Sequence, residues 1–195
     1  MIEQARPRPF GGLTRTGLGT ALFLFSEAQF FLALILGFFY LRAESDPVRL
    51  TGGDQLDAVR AGVFTVCLIL SSVTFMLAEH AHHRGNRRGL RLWLALTVIL
   101  GLVFLANQAL EYRGLWGDGI TIQSNLFGTQ FYTLTGVHFA HVTAGVVMLA
   151  ILLGFALRGG PDEPGTAAVQ PIGYYWHFVD VVWVIIYTVV YLVGA

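Results

Sequence analysis

The sequence predicts an all-α protein, a polytopic membrane bundle of five transmembrane helices in a single membrane domain spanning residues 1–195, and three observations carry this. Hydrophobic residues make up 55% of the 195, charged residues only 12%, and the mean hydropathy is +0.64, too apolar for a water-soluble domain. Five apolar segments, near 16–41, 60–79, 91–111, 127–157 and 172–194, reach the ~20 residues needed to cross ~30 Å of hydrocarbon. The segments cannot be strands, because an open sheet edge leaves N–H and C=O groups unpaired in lipid, whereas a helix satisfies them internally.

Charge and cysteine usage narrow the class further. Twelve Arg balance twelve Asp and Glu, with no Lys, which argues against a nucleic-acid surface or a basic membrane-binding patch. Cys67 stands alone inside an apolar run and reads as a small packing residue. Arg6, Arg8 and Arg15 precede the first apolar segment, which is longer than a signal-peptide core and lacks a small-x-small exit, so it is expected to remain as a spanning helix. Arg6, Arg8, Arg15, Arg84, Arg87, Arg88, Arg91 and Arg158 fall on one side of the bilayer, and Arg42, Arg49, Arg60 and Arg113 on the other. The asymmetry predicts a cytoplasmic N-terminus and, with five spans, a periplasmic C-terminus.

The first segment holds Glu27 within Phe23-Leu24-Phe25-Ser26-Glu27-Ala28-Gln29-Phe30-Phe31. Burial among these aromatics favours a neutral acid unless a cation or several donors meet it, and Glu27 serves either as a structural hydrogen bonder or in proton movement. The second segment offers Ser71, Ser72 and Thr74 for close helix approach and ends in Glu79-His80-Ala81-His82-His83. With Arg84, Arg87 and Arg88 beside it, this His cluster reads as a headgroup-facing turn rather than a metal site.

The third segment closes on Asn107-Gln108-Ala109-Leu110-Glu111-Tyr112, whose Asn107, Gln108 and Glu111 share a face, and Gly114-Leu115-Trp116-Gly117-Asp118-Gly119 reads as a turn with an interfacial Trp. From Ile120 to Leu157 there is no Asp, Glu or Arg. His138 and His141 lie three apart there, but the other intramembrane candidates are single acids on different helices at different depths, so no metal site is expected in this chain. Gly136 and Gly145 read as close helix contacts, and Arg158 to Gly165 as a flexible cytoplasmic connection.

In the last segment Trp176, Asp180, Trp183, Tyr187 and Tyr191 fall on one helical stripe that must face protein, and His177 is placed to pair with Asp180 three residues on. Trp176, Trp183 and Ser72 are the candidates for packing on a partner or on lipid. The acid is either a locking hydrogen bond or a titrating group.

Ser26-Glu27-Ala28-Gln29-Phe30-Phe31, the Asn107 to Tyr112 ending, Ser124-Asn125-Leu126-Phe127-Gly128 with Leu134 to Val142, and Tyr175-Trp176-His177-Phe178-Val179-Asp180-Val181-Val182-Trp183 together resemble subunit III of haem-copper terminal oxidases. The resemblance runs from the first helix to the last, and the chain looks like the five-helix bacterial form that lacks the first two of seven helices. The family pattern Gly-Phe-His-Gly-Leu-His is altered here around Val137, Phe139 and Ala140, and both imidazoles remain.

The resemblance implies a non-catalytic subunit of a cytochrome c oxidase in the bacterial inner membrane. It packs on subunit I, with subunit II in the same complex, binds phospholipid and sustains proton uptake. Haem and copper are expected in the partner subunits and none in this chain, with cytochrome c or another donor serving the complex. Glu27 matches the family's membrane-embedded Glu, and Glu111, His138, His141, His177 and Asp180 complete the candidate intramembrane polar residues. Other readings are the accessory protein of a nitric oxide reductase, a quinol oxidase subunit, and, from another class, a free-standing carrier or intramembrane metalloenzyme using Glu27, His138, His141, His177 and Asp180.

Overall fold

The computed structural model describes residues 15–44, 56–158 and 168–193. It has five long helices: α1 (Arg15–Ala43), α2 (Ala58–His83), α3 (Arg87–Gly117), α4 (Leu126–Arg158) and α5 (Val169–Tyr187), the last prolonged by a π-helical stretch, Thr188–Val193. Each is long and apolar enough to cross a bilayer, α5 together with its π-helical extension, and no strand occurs among the described residues. Arg6, Arg8, Arg49 and the connection 159–165 lie outside the described residues.

Local chemistry sets the helix ends. Asp57 accepts the Arg60 N–H at 2.9 Å to start α2, and Asn86 accepts the Gly89 N–H at 3.0 Å to start α3. Between them the chain reverses at Gly85, whose φ of +67° suits a residue without Cβ. Asn125 takes the Gly128 N–H at 2.7 Å at the start of α4. Pro171 sits in the first turn of α5, where an N–H would have no helical acceptor.

One correction concerns α3. Gly114 to Gly117, expected as a turn, continues the helix, and the chain turns at Asp118 and Gly119 (φ +81°). Leu115 is buried in the core, and that burial outweighs the roughly 1 kcal/mol each glycine costs in a helix.

Helices α2, α3, α4 and α5 close a ring in which each packs on the next and α5 returns to α2, while α1 lies outside against α4 and α5. Within the most apolar window of each helix, α5 is 50% buried and α1 only 11%. Trp176, Trp183, Phe75, Phe104, Phe131 and Tyr191 fill the centre. Leu22, Phe25, Leu36 and Tyr40 on α1 point outward, as lipid-facing side chains do.

Candidate functional site: polar contacts between the helices

Three polar groupings lie inside the bundle. The first joins α1 to α4. Glu27 Oε2 lies 3.0 Å from His141 Nε2, and His141 Nδ1 lies 2.8 Å from the carbonyl of Val137. A carbonyl only accepts, so Nδ1 carries a hydrogen. Nε2 then either accepts from a protonated Glu27 or, as imidazolium, donates to a carboxylate. In both arrangements one proton is shared between the two residues.

Glu27 is not enclosed by aromatics as the sequence suggested. Its side chain is 22% exposed and that of His141 20%, because α1 packs along a single stripe and turns Phe23, Phe25 and Phe30 outward. Glu27 is level with one imidazole of α4, that of His141. Phe31 is buried and packs edge-to-face on the His141 ring, 4.9 Å between ring centroids. On either side of the pair the α1/α4 groove opens into a cavity: one of about 520 Å³ near Thr20, Phe23 and Met148, and one of about 270 Å³ near Phe38, Gln130 and Leu134.

The second grouping ties α5 to α2. Trp183 Nε1 donates to Thr65 Oγ1 at 2.9 Å and Trp176 Nε1 to Ser71 Oγ at 3.0 Å. Ser72 Oγ hydrogen-bonds both His177 Nδ1, at 2.9 Å, and Asp180 Oδ2. His177 therefore meets Asp180 through Ser72 and not directly as its spacing suggested, because both side chains turn toward the small hydroxyl on α2. Trp176 and Trp183 are 0% and 1% exposed, so these two pack within the chain and not on a partner or lipid, while the half-buried Ser72 spends its hydroxyl on α5. The stripe of α5 that carries them faces α2, α3 and α4.

The third grouping gathers Glu111, which accepts from Gln108 Nε2 at 3.0 Å and from the Tyr191 hydroxyl at 2.7 Å. Arg60 Nε donates to Asn107 Oδ1 at 2.7 Å beside it, and Tyr112 donates to Thr135 at 2.9 Å. His138 belongs to none of the three. It is fully buried, stacked on Trp183 at 4.9 Å and edged by Phe104. Among the described residues no three His, Cys, Asp or Glu side chains converge.

The glycine expectations divide. A Cβ on Gly145 would stand 2.8 Å from the Trp176 ring, whereas one on Gly136 would approach only the Tyr112 hydroxyl, at 4.0 Å. Gly101, not singled out in the sequence, makes the same close approach to Trp176 as Gly145 does. Of the hydroxyl partners on α2, Ser71 and Ser72 were singled out in the sequence and Thr65 was not, although one signal was available: Thr65 and Ser71 are six apart and their partners Trp176 and Trp183 seven, so two antiparallel helices present polar groups about two turns apart.

Fold and polar contacts thus define a multi-pass membrane protein whose helices are joined by a few ionisable residues, one pair of which opens to a groove. The family model described as cytochrome c oxidase subunit III matches residues 12–195. Cytochrome c oxidase subunit 3 of Corynebacterium diphtheriae is 38% identical over 197 residues, covering 98% of this chain and 96% of that protein. A probable cytochrome c oxidase subunit 3 of Mycobacterium tuberculosis is 37% identical, covering 90% and 87%. The cytochrome bo(3) ubiquinol oxidase subunit 3 of Pseudomonas putida is 35% identical, covering 92% and 86%. This chain belongs to the cytochrome c oxidase subunit III family.

Proposed function

We propose that the chain is the third, non-redox subunit of a bacterial aerobic terminal oxidase, seated in the cell membrane with its N-terminus in the cytoplasm. It packs on subunit I beside subunit II, and those partners hold the haem and copper. Its part is to keep protons supplied while the complex reduces oxygen and translocates protons.

The observation that carries this reading is the Glu27–His141 pair. It holds one shared proton at the rim of a groove, where neither residue is sealed off. A group of this kind can take up and release protons beside a neighbouring channel without lying on the main path. The two cavities flanking the pair suit lipid acyl chains, so bound phospholipid belongs to the same proposal. The relatives from Corynebacterium and Mycobacterium favour a cytochrome c-oxidising complex, and the Pseudomonas relative supports a second reading in which quinol is the donor.

The test is a pair of substitutions in the intact complex. Glu27→Gln keeps the shape and can still hydrogen-bond His141, but cannot exchange a proton. Haem content and the first turnovers should stay normal, while proton uptake slows and activity decays sooner during sustained turnover. If Glu27→Gln matches the parent and only Glu27→Ala fails, the pair is a structural contact and the proton-supply role is wrong.

A further inference from the structure

The α2/α5 seam contains an arrangement that differs from the Glu27–His141 pair. Asp180 lies at the centre of the bundle, 5% exposed, and its Oδ1 has no hydrogen-bond partner. Its Oδ2 accepts from Ser72 Oγ, and that hydroxyl also meets His177 Nδ1 at 2.9 Å. His177 is only half-buried and packs edge-on against Phe75, 5.8 Å between ring centroids. Beyond Phe75 on α2 comes Glu79, also half-buried, brought against α5 because residue 173 is glycine. A Cβ there would stand 2.6 Å from Glu79 Oε1 and 2.5 Å from Phe75 Cε1.

We propose that Asp180, Ser72 and His177 form a proton relay that joins the closed centre of the bundle to its α2/α5 face. A hydroxyl both donates and accepts, which suits the middle position of such a chain. Two complete hydrogen-bond orders exist. In one, protonated Asp180 donates to Ser72, and Ser72 donates to Nδ1 of an imidazole whose hydrogen is on Nε2. In the other, His177 Nδ1–H donates to Ser72 and Ser72 donates to the Asp180 carboxylate.

The first order converts to the second when the Asp180 proton passes to Ser72 Oγ as the hydroxyl's own proton passes to Nδ1. The imidazolium so formed releases its Nε2 proton outward, toward Glu79 or water. One proton leaves Asp180, one leaves the chain at His177, and no electron moves. The other ionisable groups around α5 stand apart from this line. His138 on α4 stacks behind Trp183, and Glu27 and His141 bond to each other on the side of Tyr175 and Phe178, while α3 brings Glu111, held by Tyr191 about three turns further along the last helix, and the Thr97 hydroxyl, which is bonded to Thr74 at 2.8 Å.

The relay is independent of the oxidase assignment and is tested on the chain with whatever subunits accompany it from the native membrane, held in lipid nanodiscs. The readout is the rate at which the Asp180 carboxyl exchanges its proton after transfer to heavy water, followed by its infrared C=O band and assigned by loss of that band in Asp180→Asn. Ser72→Ala should slow the exchange on the order of a hundredfold, the scale on which one positioned proton-transfer group acts. Ser72→Thr, which restores a hydroxyl, should recover the parental rate, and His177→Gln should be slow. Parental exchange in Ser72→Ala, a threonine variant as slow as alanine, or no carboxyl band lost in Asp180→Asn would each overturn the relay.

Discussion

Gly145→Ala places a methyl group where the fold has none to spare. The added Cβ would lie 2.8 Å from both Cε3 and Cζ3 of Trp176 and 3.4 Å from Cε1 of Tyr175. Trp176 cannot simply slide away. It is 0% exposed, its Nε1 is bonded to Ser71 at 3.0 Å, and its far edge faces Gly101. Overpacking of a well-filled core costs about 1–3 kcal/mol. Tilting the indole enough to relieve it also loses the Ser71 bond, about 1 kcal/mol more. Gly154 on the same helix is the control, because nothing lies within 4 Å of a Cβ there and alanine in an unstrained helical site gains about 0.4–1 kcal/mol. That gain is common to both helical sites and cancels, so the two variants should differ by about 2–4 kcal/mol, at least tenfold in the unfolding constant. Reversible denaturation in mixed detergent micelles, followed by tryptophan fluorescence, measures the difference. If Gly145→Ala and Gly154→Ala agree within about 0.5 kcal/mol, the small helix-facing surface of α4 is not what admits Trp176, and the packing argument fails.

Two further outcomes are expected. In a Cys67→Ser background, a cysteine replacing Arg88 in the exposed start of α3 should react with impermeant reagents only from the cytoplasmic side, and labelling from the periplasm would invert the orientation. The purified isolated chain should contain no stoichiometric haem, copper or zinc by elemental analysis and absorption, since no three ligand-type side chains meet among the described residues. One equivalent of metal that disappears on replacing His138 and His141 would refute this.

The five spans were legible because crossing a bilayer imposes a length and an apolarity that nothing else in a chain of this size imitates. Helix ends were less so. Gly114 and Gly117 look like turn residues, and only tertiary burial of Leu115 shows why the helix passes through them. The protein-facing stripe of α5 could be read from Asp180 alone, since an acid in a span needs a partner. Its partner could not, because Ser72 is separated from Asp180 by 108 residues and serine gives no periodic signal. The same holds for Glu27 and His141. Exposure of α1 was hidden for another reason: in lipid, outward and inward side chains are equally apolar, so the contrast that marks a helix face in water is absent. The π-helical end of the last span had no counterpart in the pattern of residues.

The position of α1 outside the ring bears on how the chain is made. Its groove is built by α4 and α5, made after the other described spans, and its acid finds His141 only 114 residues later. Of the five described spans, α1 is thus the earliest made and among the last to find its seat. Until then Glu27 waits in lipid without its imidazole, an interval that grows with every delay in synthesis of the second half. In the ring of α2 to α5 each helix meets a neighbour as soon as that neighbour is inserted, although closing α5 onto α2 spans as much chain, 129 residues between Ala58 and Tyr187. Assembly therefore ends with two long-range steps, the closing of the ring and the seating of α1 at the Glu27–His141 contact.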